Sequence, residues 1–229
     1  MTPTVVSLRR YPVKSMGGED LTVADLDARG LVGDRALAVV DTDGRFASGK
    51  DSRRFRRRDA IFAHAARTRD DGRVEVTRDG HELLVGDPVL DAELSAAMGD
   101  PVRVLPEADV PHQDMGAVSL VGTATLHWCR ERWGGAGDAR RLRANVVVAT
   151  EDPFEEEAWV GRTVSVGQVA LAVVERVPRC RMVDVDQDGV EVGSAWLKEL
   201  GRERGTHLAV YADVRRPGRI ALGDEVHPE

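Results

Sequence analysis

The sequence predicts a mainly β fold with short helices, an α+β chain in two subdomains. Three observations carry this. Aromatic residues make up 4% of the chain while glycines number 23, and Val-rich alternating stretches recur, a composition that suits pleated strands joined by tight turns. Asp-Gly pairs at 43–44, 71–72, 79–80 and 188–189 punctuate these stretches as hairpin or turn signals. At 229 residues the chain is long enough to bury a core without staples. A change of character between Pro101 and Pro111 divides it into residues 1–105 and 106–229.

Thr4–Leu8 alternates as a strand and ends in the polar loop Tyr11-Pro12-Val13-Lys14-Ser15-Met16-Gly17-Gly18. Ala36–Val40 reads as a buried strand, Asp41–Gly44 as a turn and Arg45–Ala47 as the returning partner. Ile61–Ala66, Val74–Thr77 and Glu82–Val85 read as short strands that complete a small barrel or curled sheet. Asp91–Met98 is a helix, with Asp91 as N-cap and Gly99 as the stop.

In the second half Ala117–Val121 is a strand and Thr123–Trp133 a helix, on whose inner face Cys129 is packing. Asn145–Ala149 is a buried strand. Asp152-Pro153-Phe154-Glu155 predicts a capped short helix carrying Trp159 to the core. Thr163–Val174 is a hairpin that delivers the chain to Pro178-Arg179-Cys180. Val183–Asp186 is expected to continue as strand, Ser194–Leu200 to form a capped helix, and Leu208–Val214 with Ile220–Val226 to close the sheet.

The net charge of −7 does not advertise a nucleic-acid binder. Residues 48–59 nevertheless concentrate positive charge around Phe55, and read as a solvated segment or an anion-binding edge near a ligand pocket. Two cysteines, with no Cys-x-x-Cys pair, fit a reducing cytoplasm. No leader and no run of membrane-span length is found, so a cytoplasmic protein without a membrane partner is expected. Six scattered histidines argue against a zinc or non-haem iron site. The Gly-x-Ser-x-Gly elbow, the dinucleotide fingerprint and the P-loop are absent.

Cys180 sits between Arg179 and Arg181, where guanidinium charge favours the thiolate. That makes it a nucleophile, a redox group or a soft metal ligand, against the plainer reading of a small core residue. Lys14 and Ser15, Arg35, Arg143 with Asn145, and Arg179 all fall at loop ends. One sulfur among such groups suits a large anionic ligand that also offers a soft metal. Taken singly, each has an ordinary reading as a turn ion pair or strand-edge residue. Asp184 and Asp186 alternate on one expected strand face and read as solvent-exposed, and Arg181 should point away from the Cys180 side.

The first half carries Tyr11-Pro12-Val13-Lys14-Ser15 and Gly30-Leu31-Val32-Gly33-Asp34-Arg35 ahead of Val39-Val40-Asp41. The second carries Arg143-Ala144-Asn145-Val146-Val147-Val148, Pro153-Phe154, Trp159-Val160-Gly161, Arg179-Cys180 and Pro217-Gly218-Arg219-Ile220-Ala221-Leu222-Gly223-Asp224. In this order, over nearly the whole chain, they resemble the N-terminal β-barrel domain that precedes MOSC domains, followed by the MOSC domain itself. The name shortens molybdenum cofactor sulfurase C-terminal domain. The resemblance implies an N-terminal β-barrel subdomain plus a MOSC β-barrel domain.

In the branch related to the mitochondrial amidoxime-reducing component and the bacterial N-hydroxylamine reductases, the cysteine matching Cys180 ligates molybdenum held by molybdopterin. Carried over, Cys180 is the expected metal ligand and catalytic residue, and Lys14, Ser15, Arg35, Arg143, Asn145 and Arg179 are expected to line the molybdenum cofactor. The implied activity is reduction of small N-hydroxylated (N–O) compounds. Electrons are expected from a separate ferredoxin, flavin or haem protein, since no cysteine-rich extension follows Glu229. The alternative is a sulfur-carrier or cofactor-binding module with a Cys180 persulfide. Ala144 replaces a frequent proline of the family. The 48–59 stretch also departs from its pattern, so the substrate-side wall is expected to differ.

Overall fold

The computed structural model describes residues 2–229. Its largest element is an eight-stranded sheet in the order Val226–Pro228, Thr163–Val166, Val169–Pro178, His207–Arg216, Val118–Gly122, Val146–Val148, Val5–Arg10, Glu19–Leu21. Neighbours run antiparallel except Val118–Gly122 beside Val146–Val148. A parallel pair needs a crossover, and the helices Thr123–Trp133 and Ala139–Leu142 lie within it.

Side chains alternate across the central strands. Leu120, Val146, Val148, Val210 and Ala212 join a core with Leu8, Trp159 and Leu171. Val121, Val147, Val177 and Ala209 join a different one, with Leu126, Cys129, Leu142, Trp196 and Leu200. Strands dry on both faces read as near-continuous apolar runs, which explains Asn145–Ala149 in the sequence.

The first half adds a four-stranded sheet, Val102–Pro106, Leu37–Asp41, Phe46–Ser48 and Phe55–Arg57. A three-stranded one is made of His81–Leu84, Val74–Arg78 and Ala65–Thr68. They enclose Val13, Met16, Val39, Ile61, Leu90 and Leu94. Val5–Arg10 and Glu19–Leu21 lie in the large sheet, and Val23–Asp27 pairs with Gly218–Ala221. The fold is mainly β with short helices, as the composition indicates.

Several local expectations are corrected. Residues 183–186 do not continue as strand, and Arg181–Asp184 is a 3-10 turn. The turn carries the Asp184 carboxylate inward, where it accepts from the Trp196 and Leu197 amides at 2.6 and 3.2 Å. Asp184 thus caps the helix Trp196–Glu203 from a distant segment, while Ser194, the expected cap, gives its hydroxyl to the Gly134 carbonyl at 2.8 Å. Asp186 is exposed, as expected, and accepts from the Val192 amide at 2.8 Å, whereas Asp184 is half-buried.

Ile61 and Phe62 are adjacent and both buried, which a strand cannot do on one face. They sit on a 3-10 turn, Asp59–Ala63, and the strand begins at Ala65. The helix expected from Asp91 starts at Pro88 with Asp87 as its cap, and Asp91 instead accepts from the Val104 amide at 3.0 Å. Asp152 does not cap the segment leading to Trp159. A 3-10 turn, Glu155–Trp159, is entered through Phe154 at φ 66°, with the Phe154 amide donating to Thr125 Oγ1 at 2.7 Å. The short helix Ala139–Leu142, capped by Asp138, was not expected from sequence.

Candidate functional site

A cavity of about 100 Å³ lies where the two halves meet. Ser119, Asn145, Val177 and Tyr211 line it from the sheet. By alternation they share the face of Val121, Val147 and Ala209, where the helix-side core leaves off. Lys14, Ser15, Arg35, Ser48 and Lys50 come from the first half, and Arg143, Arg179 and Cys180 from the second. All seven residues singled out in the sequence therefore meet in one cavity.

Three of them depend on local backbone conformation. Ser15, Arg35 and Arg143 adopt φ of 69°, 50° and 54°, a left-handed region that is costly for residues other than glycine. Arg143 ends the Ala139–Leu142 helix in this way, which turns its side chain back over the Tyr11 ring at 4.2 Å. Arg35 stacks on the same ring at 4.9 Å, pairs with Asp34, and donates to Asn145 Oδ1 at 3.4 Å and to the Arg143 carbonyl at 3.2 Å. Such cation-aromatic stacking holds guanidinium groups together despite like charge. Burial pushes the Tyr11 phenol up to about 12, so the ring stays neutral.

Asn145 is committed to the fold. Its Oδ1 accepts from the Ser119 hydroxyl at 2.9 Å and the Ser119 amide at 3.2 Å, and its Nδ2 donates to the Arg9 carbonyl at 3.2 Å. It sets Arg35 and Ser119 from behind. Arg179 is tied to the Leu208 and Leu142 carbonyls at 2.8 and 3.0 Å. Cys180 follows it, half-buried and unpaired, just beyond the strand Val169–Pro178. Arg181 is turned to Asp59 at 2.9 Å and the Gly49 carbonyl at 3.0 Å. Cys129 is fully buried, and burial pushes its thiol up to about 12, an inert packing group.

Two donors at this site lack acceptors. Arg143 Nη2 and Arg179 Nη2 are buried without a hydrogen-bond partner, and burial lowers both guanidinium groups to about 10. Buried charged donors left open are costly unless something else completes them. Among the described residues no group of three or more His, Cys, Asp or Glu converges. Cys180 is the one cysteine lining the cavity, so the chain offers a metal there a single sulfur and no ready-made cage of such ligands. A soft metal already chelated by an anionic, hydrogen-bonding organic group fits both facts.

Lys14 is buried, and burial lowers it to about 8 against the opposing charge of Asp114, with Arg35 and Lys50 adding repulsion. It is charged below that pH and loses its proton above it. Affinity for inorganic pyrophosphate should therefore fall as pH rises from 7 to 9, read by titration calorimetry. A flat profile would show that Lys14 does not take part.

Three arginines of the 48–59 stretch are neutralised locally. Arg56 pairs with Asp41 and Asp43 at 3.2 and 2.8 Å, Arg57 with Asp59 at 2.7 Å, and Arg58 with Asp100 at 2.7 Å. Of the cations of this stretch, Lys50 alone lines the cavity.

Sequence reasoning missed Arg141 and Asp114. Arg141 sits on the unforeseen helix, where only the Asp138 cap signalled a turn that would bury it. Asp114 lies in a loop without periodicity.

Residues 107–227 match the MOSC domain, and residues 2–97 match the MOSC N-terminal beta barrel domain. The chain belongs to the MOSC domain family. It is 24% identical over 237 residues to the molybdenum cofactor sulfurase of Danio rerio, covering 80% of this chain and 28% of that protein. To the molybdenum cofactor sulfurase of Bos taurus it is 30% identical over 95 residues, covering 38% of this chain and 10% of the other. This MOSC protein thus spans about a quarter or less of the length of these curated relatives. The crystal structure of the YuaD protein from Bacillus subtilis superposes with a TM-score of 0.51 at 15% identity, covering 99% of this chain and 94% of that one, a likeness of fold. No helix among the described residues is long and apolar enough to cross a membrane.

Proposed function

We propose that this MOSC protein binds a molybdenum cofactor between its halves and reduces small N-hydroxylated compounds there. Cys180 supplies one sulfur ligand, while Lys14, Arg35, Arg143 and Arg179 hold the cofactor's phosphate and polar groups, with Ser15 at the wall and Asn145 positioning Arg35. The observation that carries this reading is the pair of buried, unpartnered guanidinium nitrogens of Arg143 and Arg179 in the cavity that Cys180 lines. They donate to anions and carbonyl-like acceptors. The homology to molybdenum cofactor sulfurases supports the same class of ligand.

When bound, the group supplies two-electron removal of oxygen, R–NHOH + 2e⁻ + 2H⁺ giving R–NH₂ + H₂O. The chain's own residues do the rest. Arg143 and Arg179 fix orientation, the Tyr11 ring keeps Arg35 and Arg143 in place, and the apolar side chains of Val177, Leu142 and Val183 along the cavity limit water. Electrons come from a separate donor protein.

The test is turnover of an aryl amidoxime or hydroxylamine with reduced viologen as artificial donor. Two one-electron equivalents should be consumed per amidine or amine formed. Molybdenum-loaded protein that oxidises no viologen with any such substrate would sink the reductase reading. The name of the curated relatives also favours a second reading, in which Cys180 carries a persulfide. It requires an intact-mass gain of one sulfur that is lost on thiol reduction and absent in Cys180→Ser.

A further inference from the structure

The cavity is smaller than the roughly 300–1,000 Å³ usual for sites that take an organic ligand, and a carboxylate, Asp114, is among the groups that line it. Lys14 Nζ donates to Asp114 Oδ1 at 2.9 Å and to the His112 carbonyl at 2.5 Å, and Lys50 Nζ lies 3.9 Å from Asp114 Oδ2. Lys14 and Lys50 stand 5.1 and 4.5 Å above the same Phe55 ring. Two lysines against one aromatic ring, closed by a carboxylate, form an anion seat with its anion supplied by the chain.

Asp114 lies between the strands Val102–Pro106 and Val118–Gly122, on a segment with no strand of its own. Side-chain fastenings hold this strap upstream of Asp114. Glu107 accepts from Arg29 and from the His112 amide, the His112 ring meets the Arg35 carbonyl at 3.1 Å, and Gln113 Nε2 reaches the Arg29 carbonyl at 2.7 Å. Asp114 itself is 44% exposed in its side chain, against 7% for Lys14. The carboxylate can leave into water without undoing the strap, whereas the lysine cannot follow it.

We propose that Asp114 is a built-in occupant of the Lys14–Lys50 seat, displaced by a phosphate-type anionic group of the incoming ligand. The idea rests on the cofactor-site reading only for the ligand's larger identity, since the seat selects for phosphate chemistry by itself. A dianion outcompetes the tethered monoanion, and a neutral or weakly charged ligand does not. Asp114 therefore sets the threshold of anionic charge that a ligand must carry.

The probe is inorganic pyrophosphate, titrated by calorimetry into the full chain. Asp114→Asn and Asp114→Ala should each bind it about tenfold more tightly than wild type, because the competing charge is gone. Lys14→Met in the Asp114→Asn background should remove that gain. Asp109→Asn changes the same charge on the same strap at an exposed position, and should leave affinity unchanged. Equal or weaker binding by Asp114→Asn and Asp114→Ala would overturn the proposal, and so would an equal gain in Asp109→Asn. Pyrophosphate carries neither metal nor pterin, so this outcome is separate from whether the protein holds molybdenum.

Discussion

Replacing Arg141 by alanine is expected to cost about 3–5 kcal/mol of stability. Its side chain is wholly buried and serves five acceptors on three segments. Nε donates to the Val183 carbonyl at 2.5 Å, and Nη1 to the Ala136 and Val192 carbonyls at 3.3 and 3.2 Å. Nη2 donates to the Ser194 carbonyl and to Asp184 at 3.4 Å. The guanidinium also lies 3.8 Å from the Trp196 ring centre. Removing it leaves several buried carbonyls without donors, each a loss of about 1–3 kcal/mol, offset in part by relief of a buried charge. Because Val183 and Asp184 belong to the turn after Cys180, Cys180 should also be alkylated faster in the variant. Urea unfolding with a loss below about 1 kcal/mol would contradict this role.

Arg143→Met should behave in the opposite way. Burial lowers the Arg143 guanidinium, and although Nη1 donates to Gln187 Oε1 at 3.2 Å and to the Ser15 carbonyl at 3.5 Å, Nη2 has no partner, so the ligand-free protein carries a buried charge that the fold satisfies only in part. Methionine keeps much of the stem that covers Tyr11 while removing that charge, and stability should hold or rise. Anion affinity should fall about 30-fold or more, the equivalent of about 2 kcal/mol for a desolvated charge pair. Unfolding and pyrophosphate titration measured on the same variant separate the two effects. A destabilised variant with unchanged affinity would make Arg143 structural.

How much of this was legible in the sequence follows from how each residue does its work. The strands read well because alternation and Val content are local signals, and the meeting of Lys14, Arg35, Arg143, Arg179 and Cys180 followed from their order along a resembled family. Asp184 misled because its role is to cap a helix twelve positions away, which no spacing rule for one strand contains. Asn145 lines the cavity, as expected, and is also engaged with Ser119, Arg35 and Arg9. An amide on a strand gives no sequence sign of which side its partners occupy. Asp114 and Arg141 escaped notice because their meaning lies in three-dimensional neighbours, Lys50 and Lys14 for one and the carbonyls of the Cys180 turn for the other.

The central claim is that Cys180 is the chain's single ligand to a metal brought in by an anionic cofactor. It is tested most directly by measuring molybdenum in protein purified from a host that makes molybdopterin, for wild type and Cys180→Ser side by side. The account predicts close to one molybdenum per wild-type chain and essentially none in the folded serine variant. Wild-type protein without molybdenum, or a serine variant that retains it in full, would contradict it.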